Sequence, residues 1–325
     1  MQHKLIPTDD PSAWRSALDG IAHGFGDSWE NAVANHHATG QPTFLYAYSN
    51  GACRVACPLM LRSYEGYFDI ASPMGFGGFA STGECSGFRE QWFAFARQSG
   101  WVCAYLSQNP ALRADRIVVP EDIGGGPDLF YLNLTVDEQT LFGQISRCRR
   151  RQIIKWRADS HWLCTNRAEI LAFMHTHSAS FFDRVKYSGP RLTHQAWTEL
   201  AASPNVLLLG AMLEGRIVAA NLFGWAGELG DAPYNISLPE GRDAAAPLMW
   251  AGANLLRQKG VKLLNMGGGA RPGDGIETSK RRFNCTVMPL QRIRQVFRPQ
   301  IFDRLCQMAN HPDTEFFPPY HAPGR

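Results

Sequence analysis

Nowhere does the 325-residue chain supply 18 uninterrupted apolar residues, so no segment reads as a membrane-spanning helix. Residues 1–11 are polar and have no apolar core of the kind a secretory leader needs; a cytoplasmic location is expected. An excess of one charge is missing too. A formal net charge of +3 is too small to imply nucleic-acid binding by itself, which leaves local clusters to carry any electrostatic case. The eight cysteines (53, 57, 85, 103, 148, 164, 285 and 306) lack paired metal-ligand spacing. Cys53 and Cys57 have no second pair or nearby histidine to complete a zinc site, and most of the eight are expected to be reduced core residues. His175, His177 and Asp183 do not fill the gap, because residues two apart cannot share one helix face, and no metal is expected. There is no Gly-x-Ser-x-Gly elbow and no cysteine with a histidine beside it, so a triad hydrolase has no support. A Walker A loop is excluded because Lys280 follows Ser279 and precedes Arg281. A dinucleotide fingerprint needs glycines that open a long helix early in a βαβ unit, and residues 267–269 lie near the end of the chain.

What is present describes an ordinary globular protein, 45% hydrophobic and 19% charged. The length exceeds what one core usually fills, which predicts two domains of about 150 residues each. The most informative stretch is 261–284. A short apolar strand runs into Gly267, Gly268 and Gly269, then a polar turn, then Thr278-Ser279-Lys280-Arg281-Arg282-Phe283 in a short helix. Consecutive glycines after a strand permit a sharp turn and bring bare N–H groups close to a ligand, and three cations follow within 15 residues. An anionic ligand fits this pattern; a tight turn with solvent-facing cations fits it as well.

Start and stop signals predict helices over 12–18, 28–37, 84–98, 167–180, 193–202 and 244–259, the last stopped by Gly260. Asn50-Gly51 between apolar runs predicts a hairpin over 43–61, and Glu214-Gly215 another over 205–225. Further strands are expected over 101–106, 129–134, 162–165, 234–238 and 261–266, with a last helix over 297–308. Residues 66–78 form a second glycine-rich loop. Thr135 and Glu138 have capping-box spacing, which predicts one helix from there to about residue 158. Its later turns carry Arg147, Arg149, Arg150, Arg151, Lys155 and Arg157, interrupted by Ile153, Ile154 and Trp156. Such density without acidic partners costs helix stability by like-charge repulsion, favouring phosphate contacts for part of it over a purely solvated face.

Four segments together resemble a known family: Arg150-Arg151-Gln152-Ile153-Ile154-Lys155, the 213–220 hairpin, Pro247-Leu248-Met249-Trp250 with Gly260, and Asn265-Met266-Gly267-Gly268-Gly269 with Lys280 and Phe283. They are similar to the FemABX-like branch of the GNAT acyltransferase superfamily over roughly residues 40–290, with the family's usual Phe-Lys pairing replaced by Ser279-Lys280. The resemblance implies an α/β fold with mixed sheets, two tandem GNAT-like domains and a cleft between them. Expected domains are 1–134, 135–296 with the glycine motif, and a 297–325 tail packing back. The implied chemistry is transfer of an acyl or aminoacyl group, from acyl-CoA or aminoacyl-tRNA, to the amine of a small acceptor such as a nucleotide sugar, with no permanently bound cofactor. Amine attack on a thioester or ester needs a neutral nucleophile, a route for its proton and donors for the developing oxyanion. Lys280, Asp69 and Tyr234 are therefore the catalytic candidates. Arg150, Arg151, Asn235, Gly267, Gly268, Gly269, Arg281 and Arg282 are the substrate-binding ones, with Asp274 and Glu277 as further carboxylates near the loop. A second class stays open: a non-catalytic RNA-binding protein that uses the basic helix, with Trp156 and Trp162 as stacking residues.

Overall fold

The structure, a computed structural model, describes residues 2–112, 117–187, 189–269, 273–310, 314 and 316–322. In chain order it runs β1 (Gln2–Pro7), α1 (Pro11–Leu18), α2 (Trp29–Thr39), β2 (Thr43–Ser49), β3 (Arg54–Tyr64), β4 (Tyr67–Ala71), β5 (Ala80–Ser81), α3 (Phe88–Gln98) and β6 (Trp101–Gln108). There follow β7 (Ile123–Asn133), α4 (Glu138–Gln144), α5 (Arg147–Arg157), β8 (Leu163–Cys164), α6 (Arg167–Arg184), α7 (His194–Ala202), β9 (Val206–Leu213), β10 (Arg216–Ala226) and β11 (Leu229–Ser237). The chain closes with α8 (Ala245–Gln258), β12 (Leu263–Asn265), α9 (Gly275–Arg281), β13 (Thr286–Val296) and α10 (Pro299–Ala309). It divides into two compact units, one of residues 1–36, 40–126 and 290–325, the other of 37–39 and 127–289.

In the first unit the strands follow the order β1-β2-β3-β4-β6-β13, with β5 beside β3. Neighbours are antiparallel except β4 and β6. The β2–β3 turn works as its sequence predicts: Asn50 Oδ1 accepts the N–H groups of Ala52 and Cys53, and Gly51 takes φ 85°. Helix α3 closes the core with Phe88 and Trp92 against Tyr46, Phe79, Trp101 and Phe297. Trp92 is buried without loss because its Nε1–H donates to Gln295 Oε1 at 2.8 Å. Cys53 and Cys85 form a disulfide and the other six cysteines are free, so most are reduced as expected, but of those six only Cys57 and Cys103 are core residues; Cys148 is exposed and Cys164, Cys285 and Cys306 are partly exposed.

Asp27 ties two glycine loops of this unit together. Its carboxyl is fully buried and accepts N–H bonds from Gly24 (2.9 Å) and Gly78 (2.8 Å). Burial raises its pKa from 3.8 to about 7 against the downward pull of those two bonds. A raised folded value means that the contribution is complete below pH 3.8 and is lost as pH rises through about 7. The parent protein should therefore lose on the order of 2–4 kcal/mol relative to Asp27→Asn between pH 4 and pH 8. Urea unfolding of both proteins across that range checks it, and parallel pH profiles would remove Asp27 as the cause.

The second unit holds the order β7-β12-β11-β10-β9-β8, antiparallel except for β11 with β12. Helix α8 lays Leu248, Trp250, Ala253 and Leu256 into its core. Gly252 sets that approach: a Cβ there would lie 2.2 Å from the Phe223 ring. The expected single helix from 135 to 158 is two helices. Asp137, not Thr135, caps α4 through the Thr140 N–H, and Ile145 leaves helical geometry at ψ 153°, buried in the core. Ser146 then caps α5 through the Arg149 N–H. The break turns α5 so that Arg149 and Ile153 are its buried residues.

Candidate functional site

A cavity of about 700 Å³ lies within the second unit, where two parallel strands part. Pairing of β11 with β12 ends at Asp231 opposite Asn265. Beyond it β11 runs on through Ala232, Pro233, Tyr234 and Asn235, while the other chain turns away at Gly267, which takes φ 74°. The cavity fills the wedge between them. Asn265 fixes the parting point: its Nδ2 donates to Asp231 Oδ1 at 3.0 Å and its Oδ1 accepts the Gly267 N–H at 2.8 Å. On the other side of β11 the register with β10 slips between Leu222 and Gly224, next to Pro233, which has no N–H to give a ladder.

Helix α9 supplies the charged side of the wall. Asp274 caps it by accepting the Glu277 N–H at 2.7 Å, and Glu277 Oε2 accepts the Gly273 N–H at 2.6 Å. Both carboxylates thus serve the turn. Ile276, Ser279, Lys280 and Phe283 recur at i, i+3, i+4 and i+7 and all line the cavity. One residue further round, Arg281 points elsewhere: it pairs with Glu277 at 2.6 Å and Asp128 at 3.3 Å and lies over the Phe130 ring. Arg282 caps the helix, exposed, with its carbonyl accepting from the Ser146 N–H. Of the three cations expected beside the glycine turn, helical geometry therefore delivers one.

Lys280 Nζ donates to the Gly268 carbonyl at 2.6 Å. Burial lowers its pKa from 10.5 to about 8, opposed by the charge of Asp274. The three glycines do different work. Gly267 spends its N–H on Asn265, and Gly268 is required because a Cβ would meet the Asp128 carbonyl at 2.8 Å. The N–H groups of Gly268 and Gly269 have no acceptor among the described residues, and both glycines line the cavity.

The remaining wall comes from the end of α6 (Phe181, Phe182, then Val185 and Tyr187), from β11, and from the start of α8 (Ala245, Ala246, Met249). Tyr234 packs edge-on to Trp197, and burial pushes its phenol well above the usual value, so it stays protonated. Asn235 donates to Asn221 Oδ1. Arg242, exposed at the rim, has no carboxylate partner among the described residues. Arg149 lies behind the wall: it donates to Ser279 Oγ, to the Ser279 carbonyl at 3.4 Å and to Gln152 Oε1 at 2.6 Å, bracing α9 from α5.

The structure thus gathers Lys280, Tyr234, Asn235, Gly268 and Gly269, with Gly267 at the turn itself. Asp69 is not brought there. It belongs to the first unit, buried at 1% exposure, held by Arg62 Nε at 2.7 Å and by His321 Nε2 at 2.8 Å. Arg150 donates to the Gly143 carbonyl at 2.9 Å, Arg151 is exposed on α5, and neither lines the cavity. Ile276, Arg242 and Tyr187 were not singled out by sequence, and Arg149 was named only as one cation of the basic helix. For Ile276 a signal existed, the helical period it shares with Lys280; the other three are joined to the site only by tertiary packing.

No family model matches the chain, and no curated protein is similar to it in sequence. Solved structures do match. FemX aligns over 94% of this chain and 99% of its own, with a TM-score of 0.68 at 10% identity. The C-terminal domain of a candidate lysylphosphatidylglycerol synthetase from Agrobacterium fabrum aligns over 91% and 95%, with a TM-score of 0.59 at 13% identity. L-PGS from Bacillus licheniformis aligns over 89% and 92%, at 0.57 and 13%. Among the described residues no helix is long and apolar enough to cross a membrane. The chain is therefore a mixed α/β protein whose fold is similar to that of FemX.

Proposed function

We propose that the chain is an N-acyltransferase whose reacting centre is the wedge between β11 and β12. One observation carries this: Lys280 and two glycines whose N–H groups have no acceptor among the described residues line one largely apolar cavity, beside the stretch of β11 beyond Asp231 that β12 does not pair. The donor is an acyl thioester or an aminoacyl ester, acyl-CoA or aminoacyl-tRNA, and the acceptor is an amine, with that of a nucleotide-activated sugar as the first candidate. FemX and a lysylphosphatidylglycerol synthetase share the fold, which favours acceptors of the cell envelope.

In the proposed reaction the neutral amine attacks the acyl carbon, and the new oxyanion is met by the Lys280 ammonium and the N–H groups of Gly268 and Gly269. As the tetrahedral adduct collapses, Tyr234 O–H protonates the departing thiolate or alkoxide and recovers a proton from the acceptor nitrogen. Arg242 at the rim is placed to hold an anionic part of donor or acceptor. Arg281 pairs instead with Glu277 and Asp128.

The test is transfer itself, measured with radiolabelled acyl-CoAs and charged tRNA against amine acceptors, followed by the pH profile of the active pair. If the ammonium of Lys280 acts, kcat should fall about tenfold per pH unit above about 8, where that group loses its proton. No transfer from any donor, together with salt-dependent RNA binding through the exposed face of α5, would replace this proposal with the RNA-binding one.

A further inference from the structure

The wall chemistry of the cavity narrows the acyl group. We propose that it holds a linear aliphatic acyl chain of medium length with no ammonium group, and selects it over an α-aminoacyl group. This rests on the wedge being the acyl site.

Three observations converge. First, the wall is built from apolar side chains of five segments, among them Phe181, Phe182, Ala246, Met249, Met266 and Ile276, and its size matches sites that enclose a drug-sized ligand. An acetyl or alanyl group would leave most of it empty. Second, no aspartate or glutamate is among the described lining residues, while Lys280 and Arg242 are. The five carboxylates directly beside lining residues in the chain are engaged: Asp274 caps α9, Asp231 Oδ1 accepts from Asn265, Glu277 pairs with Arg281, Asp183 pairs with Arg191 at 2.7 Å, and Asp243 Oδ1 accepts from Gln152 at 3.4 Å. An aminoacyl ester carries an ammonium for much of its lifetime near neutral pH, and here it would be buried beside a lysine without a counter-charge. Third, large apolar side chains exposed to solvent gather at the mouth. Val185 (47%), Tyr187 (39%) and Ile276 (48%) all line it, three of the nine such residues among those described. A chain seated in the cavity would cover them, which gives this cluster a purpose that a small polar acyl group would not.

The experiment is calorimetric titration of the intact protein with acetate, hexanoate and decanoate, and with the methyl esters of alanine and lysine. The carboxylate stands in for the oxyanion facing Lys280, and no particular carrier is presupposed. Affinity should rise about fourfold per methylene that enters, so decanoate should exceed hexanoate by at least tenfold. The two amino esters should bind no better than acetate. Met249→Trp fills the cavity and Ile276→Asp puts a charge at its exposed mouth; each should cut the decanoate-to-acetate ratio at least tenfold, the second without risk to the core. Equal affinity along the series, a ratio unmoved by Ile276→Asp, or tighter binding of the amino esters would overturn the inference. Acyl transfer that shows no chain preference would sink this selectivity alone. Chain-selective binding without any transfer would instead sink the catalytic proposal.

Discussion

Lys280→Ala is expected to lower kcat about 100-fold while the protein stays folded. Losing one preorganised oxyanion donor costs roughly 2.7–4 kcal/mol of transition-state stabilisation in a water-poor site, and 100-fold is the lower end of that range. Lys280 is so placed: partly buried in a largely apolar cavity, 2.6 Å from the Gly268 carbonyl, in a wall shared with Gly268 and Gly269, whose N–H groups have no acceptor among the described residues. Its contribution to stability is smaller. The hydrogen bond to Gly268 contributes about 1 kcal/mol, and removing a half-buried ammonium returns part of that. Lys280→Arg should rescue poorly, because a planar fork does not reproduce a compact charge. Whatever activity remains in it should lose the decline above pH 8, since arginine stays protonated there. If the lysine only clamps the glycine turn, Tm and kcat of the alanine variant should move together and the pH profile should keep its shape. A kcat within threefold of the parent's takes Lys280 out of the mechanism.

Asp69→Ala should destabilise the first unit by about 3–5 kcal/mol, the usual cost of removing one partner from a buried ion pair. Arg62 is 13% exposed and would be left with an uncompensated charge, and His321 would lose the carboxylate that anchors the C-terminal segment. Nearby, Tyr320 meets Cys103 Sγ through its hydroxyl at 3.2 Å and packs with Leu305 and Val102, so the loss should spread along α10. Urea denaturation gives the magnitude, and hydrogen exchange in residues 299–322 gives the location. Transfer per folded molecule is expected to stay within threefold of the parent's. A folded Asp69→Asn protein without transfer activity would return this carboxylate to the chemistry.

Much of the second unit could be read directly from residue order. Glu214-Gly215 dictated the β9–β10 hairpin because both positions take positive φ, at 50° and 76°, and Gly260 ended α8 at φ 87° for the same reason. Local backbone preference decides such features, and local preference is what a sequence displays. The α4–α5 break was less legible. Ser146 and Asp137 are both good caps, but the choice between one helix and two depends on burying Ile145, a tertiary gain. Likewise β13 carries no distinctive local signal; it is a strand because β6 offers it an antiparallel edge from Gln108 to Cys103.

The site divides along the same line. By itself the sequence determined that a strand, three glycines and a lysine-bearing helix follow one another, and that Gly267 to Gly269 can turn sharply, since these are properties of adjacent residues. It also contained, in the spacing of Ile276, Ser279, Lys280 and Phe283, the fact that only one of three neighbouring cations shares their face. Only the tertiary structure decided that Asp69 is locked with Arg62 and His321, that Arg149 braces Ser279, and that Arg242 and Tyr187 come to the same mouth. The reason is physical: a charge becomes structural or available according to what is packed against it, and those partners lie 7 to 252 positions away along the chain.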